Sequence, residues 1–135
     1  FEGEKSKWPP TQQEAHDKLL ATGANVHLFQ GDTMKVLPKV APWLPKMDLI
    51  FIDGGHSLET IANDWRWASQ LMHDKTVVIF DDYWPDCADA GCKVTVEGID
   101  RRMYHVTLLP LADKFKKTNS GPLKIKLAKV QRRIK

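Results

Sequence analysis

Apolar positions along the chain gather in short dense runs, separated by polar stretches rich in Gly and Pro. Thr11, with Glu14 three residues on, has the pattern of a capping box, and the spacing beyond it predicts a helix to about Thr22, closed by Gly23 just past its last turn. Val26 to Phe29 reads as a short strand, and Gly31-Asp32-Thr33 turns into a brief helix ending near Pro38. Pro42 and Pro45 then isolate a linker. Leu49-Ile50-Phe51-Ile52 is a continuous apolar run of buried-strand type, ending at Asp53-Gly54-Gly55-His56. Ser57, with Thr60 following, caps a helix to about Met72 that carries Trp65 and Trp67. Thr76 to Phe80 form a second buried strand, ending at Asp81-Asp82. Helical pattern returns from about Cys92 to Arg102, and strand from Tyr104 to Leu109. Asn119-Ser120-Gly121-Pro122 signals a turn, after which Leu123-Lys124-Ile125-Lys126-Leu127 alternates with period two.

Helix and strand thus alternate, and the unbroken apolar runs suit a parallel sheet covered on both faces, so the fold class is α/β. The 135 residues fit one domain, residues 1–135. With 42% apolar and 27% charged residues the chain is neither disordered nor collagen-like, and it has no apolar run long enough to span a membrane. The chain opens at Phe1, in what reads as a strand-to-loop transition, and is read as an N-terminally trimmed, partial domain. Cys87 and Cys92 are too few for a disulfide framework and lack CxxC spacing, which points to a reducing, cytoplasmic setting.

Strand ends are where open α/β sheets bind ligands. Three are acidic: Asp32 after the first strand, Asp53 after the second, Asp81 with Asp82 after the third. An Asp in that position is also ordinary turn chemistry, which is the simpler reading of Asp32. Two strands joined by one helix lie parallel and side by side, so Asp53, Asp81, Asp82 and His56 are expected to share one crevice. Clustered carboxylates repel unless protons or a cation neutralise them, and a hard ion such as Mg²⁺ prefers such oxygens. The competing arrangement has one inward Asp, with the others capping a helix or meeting Lys and Arg. His56 suits a general base near neutral pH. Trp65 and Trp67 read as core, whereas Trp84, just past the double aspartate, reads as a pocket wall.

The stretch Asp48-Leu-Ile-Phe-Ile-Asp53-Gly-Gly-His56-Ser, then Val77-Val-Ile-Phe-Asp81-Asp82-Tyr-Trp84, resembles the fourth and fifth strands of class I S-adenosylmethionine-dependent methyltransferases. It is most similar to the branch holding macrolide-sugar and catechol-type, metal-dependent O-methyltransferases, and Ala90-Gly91-Cys92-Lys93 resembles the macrolide-sugar members. The resemblance implies a Rossmann-like methyltransferase sheet from its third strand onward, with an antiparallel last strand. It implies S-adenosylmethionine as cofactor, with Gly31, Asp32 and Thr33 on its adenine side and Glu2 or Glu4 on its ribose. Asp53 would serve both cofactor and metal, Asp81 and Asp82 would complete a Mg²⁺ site, and His56 with Asp53 would form the catalytic pair. The acceptor would be a small-molecule hydroxyl. The chain departs from that family in one respect: its glycines never form GxGxG, and the first strand, most of the second and their connecting helix have no counterpart. Strand edges left open in this way invite pairing with a second copy.

Two other classes compete: a non-catalytic binding module on a degenerate methyltransferase fold, and a Mg²⁺-dependent hydrolase, for which no P-loop is found. The formal net charge is +3, with nine Lys or Arg from Lys114 to Lys135. Lys124 and Lys126 alternate with apolar residues, the pattern of a solvated strand face, which argues against nucleic-acid recognition.

Overall fold

The computed structural model of the chain describes residues 10–110, 113–118 and 121–134. It divides into two compact units, residues 1–32 and 33–135. The first holds α1 (Gln12–Leu20) behind the expected capping box: Thr11 Oγ1 accepts from the Glu14 amide, while Glu14 Oε2 accepts from the Thr11 amide at 2.8 Å. These bonds hold the Glu14 carboxyl below its ordinary range. Gly23 adopts φ +81°, a left-handed geometry that suits glycine. Val26–Phe29 is not a strand, contrary to the sequence reading. A strand needs a neighbour for its N–H and C=O groups, and no other strand lies in this unit among the described residues. Glu2, Glu4, the Trp8-Pro9 break and Asn119-Ser120 fall outside the described residues.

The second unit runs α2 (Thr33–Val40), a 3₁₀ turn (Ala41–Trp43), β1 (Met47–Ile52), α3 (Leu58–Gln70) and β2 (Met72–Tyr83). It continues through α4 (Lys93–Glu97), β3 (Tyr104–Leu108), β4 (Asp113–Thr118) and β5 (Gly121–Arg132). The main path of the sheet is β1-β2-β5-β3. β1 and β2 are parallel, with Ile52 opposite Phe80, and β5 lies antiparallel between β2 and β3, so the mixed α/β sheet with an antiparallel last strand is present. The first part of β5 pairs with β4 instead, an element not expected from sequence. The helix expected from Cys92 to Arg102 stops at Glu97. Gly98 follows, and the Arg101 guanidinium donates to the carbonyls of Val96 and Ile99 where the chain leaves the helix.

Alternation along the strands decides which face is buried. Ile52, Val78, Phe80, Ala128 and Val130 point to one face and meet Ile61 and Ala68 of α3 and Val96 of α4. Trp65 packs there too, its ring 5.7 Å from Phe80 and 5.2 Å from Tyr104, as the core reading required. On the opposite face Leu49 and Phe51 are 64% and 55% exposed. Among the described residues no strand pairs with the outer edge of β1. Where β2 begins, next to the ends of β3 and β5, the unit is basic: Arg102, Arg132 and Arg133 line a shallow groove with Tyr104 and Asp74. No helix among the described residues is long and apolar enough to cross a membrane.

Candidate active site at the ends of the first two strands

Because β1 and β2 are parallel neighbours, their carboxyl ends deliver Asp53 and Asp81-Asp82 to the same edge. One carboxylate oxygen from each of the three lies within 4.8 Å of the others, with Asp53 exposed and the other two half-buried. With Gly54, Gly55, His56 and Cys92 they line a crevice of 10 Å³, room for roughly one water-sized occupant. Burial and the neighbouring charges of Asp81 and Asp82 raise the Asp53 carboxyl above its ordinary range, with His56 opposing. Burial, reinforced by Asp82, pushes the Cys92 thiol up to about 12, which leaves it an inert packing residue.

His56 and Asp82 are coupled. His56 Nε2 stands 2.9 Å from Asp82 Oδ2, with the His56 side chain 54% exposed and that of Asp82 17%. The Trp84 indole N–H donates to the other Asp82 oxygen at 3.2 Å, and its ring meets His56 edge-on at 5.3 Å. Asp82 adopts φ +57°, an unusual backbone geometry outside glycine. Its amide donates to Asp81 Oδ1 at 2.7 Å, and its carbonyl accepts from the Cys92 amide at 3.0 Å. The Gly91 amide donates to the His56 carbonyl at 2.9 Å, so residues 91 and 92 fasten the two strand-end loops to each other. Only glycine fits there: φ is +79°, and a Cβ would lie 2.5 Å from the Asp82 carbonyl oxygen.

Beside the crevice a groove of 290 Å³ runs along β1, lined mainly by apolar side chains from α2, β1 and α3. Its charged lining is carboxylate alone, Asp53 and Asp64. Thr33 of α2 lines it as well, whereas Gly31 and Asp32 belong to the first unit. The strand-end acids, His56 and Trp84 therefore come together as the sequence implied, but Asp64 and the Gly91-Cys92 link were not foreseen. Asp64 had a signal: it falls between Ile61 and Ala68 at helical spacing, a carboxylate in the core-facing stripe of α3.

The mixed sheet with two parallel strands and an antiparallel last strand matches a Rossmann-like methyltransferase fold. The family model described as a methyltransferase domain matches residues 4–83, and the chain belongs to that S-adenosylmethionine-dependent class. Among solved structures it is similar to a Klebsiella pneumoniae protein assigned as an O-methyltransferase, with 24% identity, 88% of this chain and 56% of that one covered, and a TM-score of 0.58. It is also similar to a precorrin-6y C5,15-methyltransferase from Geobacter metallireducens GS-15, with 16% identity, 90% and 59% covered, and a TM-score of 0.60. The chain thus spans less than two thirds of either relative. No curated protein matches it.

Proposed function

We propose that this chain carries the metal and acceptor side of an S-adenosylmethionine-dependent O-methyltransferase acting on a small-molecule hydroxyl. The observation that carries the reading is the convergence of Asp53, Asp81, Asp82 and His56 in one crevice beside a mainly apolar groove. The donor set fits a hard divalent ion such as Mg²⁺: three carboxylates within reach of one centre, one of them already resisting ionisation. A bound ion would lower the pKa of an acceptor hydroxyl. The cofactor, in turn, supplies an activated methyl group on a good leaving group, so positioning the acceptor does much of the catalytic work.

The chain's own residues fit the remaining steps. With Nε2 of His56 turned to Asp82, Nδ1 is left to accept the hydroxyl proton, and Asp82 fixes the ring. Trp84 flanks that ring and donates to Asp82. The cofactor's positively charged sulfonium suits the carboxylate end of the groove along β1. Calorimetric titration with S-adenosylhomocysteine, and separately with Mg²⁺, tests the reading. Binding of both is expected; absence of both would remove it.

A further inference from the structure

The basic groove where β2 begins has a volume of 570 Å³, the size of a small-molecule site. Its arginines differ in what already holds them. Arg102 is neutralised: its guanidinium donates to both oxygens of Asp100 at 3.0, 3.1 and 2.7 Å, and hydrogen bonds from Arg102 hold that carboxyl down to about 2. Arg133 is fixed in place with its charge unopposed. Its Nε donates to the Arg101 carbonyl at 2.6 Å, its Nη1 stands 3.4 Å from His105 Nε2, and its amide donates to the Met103 carbonyl at 2.8 Å. Arg132, half-buried at the end of β5, makes no side-chain hydrogen bond or ion pair with the described residues. Asp74 is the one acid of the lining, and it pairs with none of the three. A half-buried guanidinium without a partner has given up hydration with no hydrogen bond in return. Beside it Met103 and Ile134, 59% and 75% exposed, and the half-buried Tyr104 ring offer apolar surface.

We infer that this groove binds a phosphate monoester on an apolar body, the phosphate between Arg132 and Arg133 and the body against Tyr104, Met103 and Ile134. Two unopposed guanidinium groups match the nearly two negative charges of such a phosphate, and their planar forks match its oxygens. The groove lies at the opposite end of β2 from the acidic crevice, so the inference stands apart from the methyltransferase reading. The test is calorimetric titration of the full chain with phenyl phosphate, at low salt, without Mg²⁺ and at about pH 7.5, where the ester is a dianion. Wild type is compared with Arg132→Gln and Arg133→Gln, and Arg66→Gln, over the Trp67 ring on α3, is the control. Binding at least about tenfold weaker in each groove variant, and unchanged in the control, is the expected result. Inorganic phosphate should bind wild type about tenfold more weakly than phenyl phosphate, because it has no apolar body to bury.

Phenyl phosphate binding that both groove variants retain, or equal binding of the two probes, would overturn the inference. So would no binding of phenyl phosphate by wild type; polyglutamate bound in its place would make the groove a docking face for an acidic chain instead. Arg133→Gln also cuts the ties to Arg101 and His105. Should it fail to fold, Arg132→Gln alone decides, since no hydrogen bond or ion pair of the described residues depends on that side chain.

Discussion

At the scale of single residues the crevice separates ligand chemistry from backbone engineering. Asp53→Ala and Asp81→Ala should each abolish Mg²⁺ binding by calorimetry while keeping the thermal unfolding midpoint near wild type, because each removes a repelling charge. Retained affinity in both would disprove the metal reading. Gly91→Ala should behave in the opposite way and destabilise the fold by about 2 kcal/mol or more, since it combines a left-handed geometry with a backbone collision. Urea denaturation would measure it, and a loss under about 0.5 kcal/mol would mean the loop relaxes. Asp53, Asp81, Asp82 and His56 were legible because they follow apolar runs directly, so topology alone brings them together. Asp64 was not, since its meaning depends on which face of α3 is buried, and the Gly91 link depends on a contact between two loops distant in sequence.

At the scale of elements, α1, β1, α3 and β3 follow from caps and apolar runs, whereas Val26–Phe29 shows what such runs cannot decide. A strand is a property of a pair, and its partner is not written into its own residues. β1 presents the same issue in folded form, with an outer edge that no strand pairs among the described residues and the exposed side chains of Leu49 and Phe51. We expect this edge to associate with a second copy, giving a concentration-dependent mass in sedimentation equilibrium. Leu49→Lys with Phe51→Lys should yield a monomer at every concentration. A wild-type chain that stays monomeric at high concentration would refute the association. The length of β2 and β5 also exceeded expectation: β2 carries His73, Asp74 and Lys75 in a register shift between Met72, opposite Met47, and Val77, opposite Leu49, and β5 pairs with β4 over its first part and with β2 and β3 over its last.

For the whole molecule, ion binding and acidity are linked. With no cation, the folded chain holds a proton on Asp53 to higher pH than the unfolded chain does, so stability falls as pH rises from the ordinary carboxylate range through that raised value. Mg²⁺ should remove that loss at neutral pH, stabilising by about 1.4 kcal/mol at a free concentration roughly ten times its Kd. The gain should fade as acidification protonates Asp53. Thermal scans at pH 7.5 and pH 4.5, with and without the ion, would show it; a gain independent of pH would place the ion elsewhere.

The basic groove where β2 begins gives this picture a direction. β5 runs antiparallel to β2, so Arg132 and Arg133 at its end lie away from Asp81 and Asp82, about 20 Å along the strands. The acidic crevice and the basic groove therefore lie at opposite ends of β2. Such a molecule should be retained by both cation and anion exchangers at one neutral pH and low salt. A cationic ligand diffusing nearby would be turned toward the acidic crevice before touching the surface.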